Sequence, residues 1–225
     1  MPHPYDYLAF AVLAGAELAV PIWAEFRGTA TPWHPEHIVE RYGLFTLIVL
    51  GEAILGTTAA IQSSFGALGA SGSLIMLTVG ALLLVFGLWW SYFRIGAADG
   101  LRVSLRTTFG WAYGHYLVFG SVAALGAGIE VAIETEEGSS SVSELVAALS
   151  VAIPLAVYLV VLMRLQRRVG SSYPYAQPLV ISTAVLVLAA GTAGTALELD
   201  LGLIVLIMGV LVAAQVGACL VGSRR

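Results

Sequence analysis

The sequence predicts an all-α protein, a polytopic transmembrane bundle of about seven helical spans with its N-terminus outside and its C-terminus inside. Three observations predict it. The 225 residues are 59% hydrophobic and only 11% charged, with a mean hydropathy of +0.90, which does not describe a chain that buries one core in water. Apolar runs recur with the roughly 20 residues that carry a helix across a ~30 Å hydrocarbon layer. The arginines, finally, fall in alternate gaps between those runs.

The spans are expected near 5–26, 42–62, 72–93, 109–133, 145–163, 178–197 and 201–221, together forming one transmembrane helical domain over 1–225. The first carries Glu17 four residues before Pro21. The second rises from the polar ramp His34-Pro35-Glu36-His37 and holds Glu52 near its middle. The third ends in Leu88-Trp89-Trp90-Ser91-Tyr92-Phe93. The fourth contains Tyr113 and His115 about two turns from one end and Glu130 near the other. The fifth is preceded by the polar Glu134–Ser141 stretch, with Ser141 or Ser143 as the expected helix cap, and holds Pro154. Only Glu198-Leu199-Asp200 separates the last two, which reads as a tight acidic turn between antiparallel helices.

Orientation follows from the basic residues. Arg27 and Arg41 lie between spans one and two, Arg94, Arg102 and Arg106 between three and four, Arg164, Arg167 and Arg168 between five and six, and Arg224 and Arg225 at the end. By the positive-inside rule that face is cytoplasmic, and the acidic loops face out. Tyr5, Tyr7, Trp23, Trp33, Trp89, Trp90, Tyr92, Tyr173 and Tyr175 are expected to anchor span ends at the interface. Small residues in spans four (Gly120, Ala124, Gly128), six (Gly191, Gly194) and seven (Gly209, Ala213, Gly217) mark surfaces where helices can approach closely.

Composition also excludes functions. The chain has no lysine, so a retinal or pyridoxal Schiff base cannot form. A net charge of −4 without a basic cluster argues against nucleic acid as a partner. The single cysteine, Cys219, permits no internal disulfide, and residues 1–10 lack the positive start of a cleavable signal peptide. Neither a HExxH pattern, a Ser/His/Asp set nor a phosphate loop occurs, so a hydrolase or an ATPase has no support, and no cofactor is implied.

The groups left to carry chemistry are the ionisable residues within the spans. A carboxylate in hydrocarbon costs roughly 2.5–3.5 kcal/mol on insertion scales, so it normally faces protein or water. Glu52, Glu17 and His115 are the candidate proton- or ion-binding residues, with His37, Glu40 and Arg41 as a candidate cytoplasmic gate. Arg41 lies eleven residues before Glu52, about 16 Å along a helix, so the two do not pair directly. His34, His37 and Glu40, spaced by three, are a candidate metal set, although Pro35 and the glutamates equally suit an ordinary helix start.

The stretch His37-x-x-Glu40-Arg41-Tyr42-Gly43-Leu44-Phe45-Thr46-Leu47-Ile48-Val49-Leu50-Gly51-Glu52 closely resembles the central signature of the bacterial low temperature requirement protein A family. Leu88-Trp89-Trp90-Ser91-Tyr92-Phe93 is similar to that family's Trp-Trp-x-Tyr-Phe-Asp element, with Arg94 where the family has aspartate. Tyr113-Gly114-His115 and Gly126-x-Gly128-x-Glu130 resemble its next span. The family's Glu-Leu-Phe-Phe-Asp-Leu-Val-Phe-type opening span is absent, so the chain looks like the C-terminal half, and a second copy or an N-terminal half is an expected partner besides the lipid bilayer. The resemblance implies a bacterial inner-membrane, multi-pass protein linked to growth at low temperature. It supplies no reaction. Proton- or ion-coupled permeation of a small solute through Glu52, a non-catalytic scaffold or sensor, and a metal-dependent membrane enzyme all remain open.

Overall fold

The computed structural model describes residues 4–27, 34–68, 71–94, 101, 104–170 and 176–222, and they form seven long helices. These are α1 (Pro4–Arg27), α2 (Pro35–Leu68), α3 (Gly72–Phe93), α4 (Leu105–Glu136), α5 (Glu144–Arg168), α6 (Ala176–Ala196) and α7 (Leu201–Gly222). Each is long and apolar enough to cross a membrane, and no strand occurs among the described residues. Trp33, Tyr173 and Tyr175, expected as anchors, and Arg102, Arg224 and Arg225, used for orientation, lie outside the described residues.

Local chemistry sets the helix ends. Ser71, Ser104 and Ser143 are extended N-caps whose hydroxyl oxygens accept from the amides of Leu74, Thr107 and Val146. Of the two serines expected to cap the fifth span, it is Ser143 that does so. α4 runs on through Glu134 and Glu136 before Gly138, at φ +71°, turns the chain. Between α6 and α7 Glu198 takes φ +56°, the Leu199 amide donates to the Gly194 carbonyl at 3.0 Å, and the Ile204 amide donates to the Asp200 carbonyl at 3.0 Å. α1 and α5 continue through Pro21 and Pro154.

Six helices close a ring in which α2 packs on α4, α4 on α5, α5 on α6, α6 on α7 and α7 on α3, with a lighter contact from α3 back to α2. Its centre is filled by Leu77, Leu84, Val122, Ile129, Val151 and Val205, all buried. Between membrane helices lipid is as apolar as leucine, so close packing and internal hydrogen bonds hold the ring. Tyr158 on α5 is fully buried and donates to the Leu88 carbonyl of α3 at 2.7 Å. α3 and α7 cross closely. A Cβ on Gly80 would stand 2.6 Å from the Leu206 amide nitrogen, and one on Gly209 would stand 2.7 Å from the Gly80 carbonyl oxygen. Of the two glycines in the small-residue repeat expected in the fourth span, Gly128 meets a neighbour, the Ser150 carbonyl of α5, whereas Gly120, like Gly217 of α7, has open space beside it. α1 stands apart from the ring, with none of its span buried, and Tyr113 of α4 donates a hydrogen bond to its Leu18 carbonyl.

Candidate functional site

The ionisable groups within the spans concentrate on the seam between α2 and α4. Tyr42 meets His115, Phe45 meets Phe119, Ala53 meets Gly126, and Gly56 meets Glu130, so the two helices run parallel with a constant register. His115 and Glu130 are fifteen residues apart on α4, about 22 Å along the axis at ~1.5 Å per residue. The seam thus carries two separate polar places, one near each end.

The lower place is built around His115, which is 1% exposed. Its ring lies 4.1 Å from Trp111, 4.8 Å from Tyr42, and 5.7 Å from both Tyr92 and Phe119, centre to centre. α4 supplies Trp111 and Phe119 one turn either side of His115, α2 supplies Tyr42, and α3 supplies Tyr92. Both ring nitrogens are engaged: Nδ1 is 2.8 Å from the Trp111 carbonyl oxygen and Nε2 is 3.0 Å from the Tyr92 hydroxyl. A carbonyl can only accept, so Nδ1 carries the proton, and in the neutral ring Nε2 accepts from the Tyr92 O–H. Beside them lies a cavity of about 40 Å³, lined by Val39, Tyr92, Trp111, His115, Leu162, Leu165, Gln166 and Val169. Gln166 Nε2 donates to the Ser91 carbonyl at 3.1 Å.

The upper place is a cleft of about 350 Å³ lined by Val49, Glu52, Ala53, Ala123, Gly126, Ala127 and Glu130. Small side chains make its floor: a Cβ on Gly126 would come within 3.1 Å of the Ala53 Cβ. The Glu130 carboxylate occupies the space a side chain at residue 56 would take, one helical turn from Glu52 on the same face of α2. Glu52 is exposed and Glu130 half-buried, so both carboxylates face the cleft rather than the packed centre of the ring. Two carboxyl groups there can exchange a proton or hold a cation if water enters.

Glu17 is exposed on α1, beside the Leu18 that Tyr113 contacts, and does not line the cleft. The structure brings Glu52 together with Glu130, and leaves His115 and Glu17 in two other places. His37, Glu40 and Arg41 project from the first turns of α2, all exposed. His37 Nδ1 is 3.7 Å from Glu40 Oε2, with side-chain exposures of 76% and 67%, and the His34 ring stands edge-on to that of His37 at 5.8 Å. Among the described residues no group of three or more His, Cys, Asp or Glu side chains is placed to hold a metal ion.

Tyr92 is a difference from the sequence expectation. It points inward onto His115 instead of anchoring α3 at the interface. Tyr42, Trp111 and Phe119 carried no polar signal of their own, and Glu130 was visible as an acid in a span but not as the neighbour of Glu52.

A model of the bacterial low temperature requirement A protein family (LtrA) matches residues 1–214. No curated protein and no solved structure matches the chain.

Proposed function

Since the chain belongs to the bacterial low temperature requirement A protein family and is a multi-pass integral membrane protein, we propose that it carries a proton or small cation, alone or coupled to a small solute, along the α2/α4 seam. In this reading it sits in the bacterial cytoplasmic membrane with its N-terminus out and its arginine-bearing end in. Glu52 is the principal proton- or ion-binding group and Glu130 shares its cleft. His115 is a further proton-binding group, Glu17 an accessory acid on α1, and His37, Glu40 and Arg41 form the cytoplasmic mouth. The observation that carries the reading is the pair of carboxyl groups on one 350 Å³ cleft within the apolar spans. Insertion scales charge roughly 2.5–3.5 kcal/mol for each such carboxylate, and a proton, a cation or water at the cleft removes that cost.

The test is proton flux into proteoliposomes after a pH or potential jump. The wild-type chain is expected to give a flux above that of empty vesicles, Glu52→Gln to lose most of it, and Glu17→Gln to lose less. Equal flux in the wild type and Glu52→Gln contradicts the proposal.

One observation favours a second reading, a non-catalytic scaffold or sensor. Both nitrogens of His115 are already bonded inside a packed aromatic box, which is what a group that only sets helix packing looks like. On that reading Glu52→Gln is silent, and the arginine-bearing loops bind anionic lipid or a partner.

A further inference from the structure

The cavity beside His115 has a size and a lining that the packing of apolar helices does not require. Its volume of about 40 Å³ exceeds the roughly 10–15 Å³ that one water needs. Three polar side chains reach it from three helices: Tyr92 on α3, His115 on α4 and Gln166 on α5. Val39, Gln166 and Val169 come from the first turns of α2 and the end of α5, so the cavity lies at the arginine-bearing end, where bulk water is nearest.

The hydrogen bonds of His115 give that water a task. Nδ1–H is committed to the Trp111 carbonyl, which leaves Nε2 as the atom that can take a proton. Nε2 accepts from Tyr92, so a second proton on the ring requires the Tyr92 oxygen to become the acceptor and to turn its own O–H elsewhere. The cavity offers such a partner, beside the buried Thr46 hydroxyl of α2, which also bonds to Tyr92. We infer that Tyr92 and Gln166 bind one water molecule beside His115 and that this water exchanges protons with His115 through the Tyr92 hydroxyl.

The step balances. A hydronium at the cavity gives its proton to the Tyr92 oxygen while the Tyr92 O–H proton passes to His115 Nε2. Water, phenol and imidazolium remain, and only O–H and N–H bonds change. The groups facing the ring are Tyr42 on α2, Tyr92 on α3 and Trp111 and Phe119 on α4, with the Arg168 guanidinium of α5 lying against Gly110 one to two turns away. Ring faces within about 6 Å attract a cation, so the box can accept an imidazolium.

This inference deepens the proposed function by naming a proton-binding group and its water. Its test reads His115 directly, and its failure leaves the Glu52 flux result standing. The full chain in lipid nanodiscs, with ¹⁵N-labelled histidine, gives imidazole nitrogen signals by NMR, and His115→Gln identifies those of His115. Expected are a neutral ring protonated at Nδ1, a second proton on Nε2 in the folded protein on acidification, and magnetisation transfer from water to the ring that disappears in Gln166→Leu. A ring protonated at Nε2 instead, one that never takes a second proton while folded, or one without water transfer in the wild type overturns the inference. Persistent transfer in Gln166→Leu overturns the role of Gln166. Because the wild type alone decides the first three, a variant that fails to fold does not leave the matter open.

Discussion

Tyr92 shows how one side chain changes its role with its neighbours. Followed two residues later by Arg94 at the end of α3, it has the position of an interfacial anchor, and Trp89 and Trp90 keep that character by remaining exposed. Tyr92 faces the other way because α4 offers the unpaired Nε2 of a buried imidazole, and leaving that nitrogen bare costs more than losing one interfacial hydroxyl. Tyr92→Phe is therefore expected to destabilise the folded protein by about 1–3 kcal/mol, the cost of a buried unsatisfied polar group. Thermal unfolding in detergent measures it, with Tyr116→Phe, at a 59% exposed position, as a nearly silent reference.

At the scale of the helices, close approach decides which glycines matter. Gly80 is expected to tolerate no methyl, because it would stand 2.6 Å from backbone nitrogen and 2.7 Å from backbone carbonyl of α7, neither of which can swing aside. Gly80→Ala should cost on the order of 1–3 kcal/mol through overpacking, and Gly217→Ala should cost almost nothing. Unfolding of the two variants side by side checks this. The sequence made the repeat of small residues in span seven visible, but not that Gly209 meets Gly80 while Gly217 meets nothing. That choice depends on where two distant helices cross. The seven helices themselves were legible because twenty apolar residues are a local signal. α2 and α4 extend past their apolar runs, to Pro35 and Leu68 and to Leu105 and Glu136, because helical hydrogen bonding does not stop where the hydrocarbon does. The Glu52–Glu130 cleft was half legible: each acid stood out in its span, but their meeting depends on the parallel register of α2 and α4, which no local pattern encodes.

For the molecule as a whole, the arrangement is a closed ring of six helices with α1 outside it and two separate polar places along one seam. From the arginine pattern we propose its direction in the membrane, with the arginine-bearing end inside. In a Cys219→Ser background, Ser140→Cys in the acidic α4–α5 turn is expected to react with a membrane-impermeant thiol reagent added to intact cells. Labelling only after lysis would invert the orientation.

The account depends most on the cleft between α2 and α4 being wet in the membrane, since carboxyl groups facing dry lipid exchange nothing. Cysteine placed at residue 49 or 127, again without Cys219, reports this against a cysteine at residue 185, exposed on α6. Reaction of the first two with a charged, water-soluble thiol reagent in membranes, and none at residue 185, is the predicted result. Reaction at 49 and 127 only with an apolar reagent, as at 185, would contradict it.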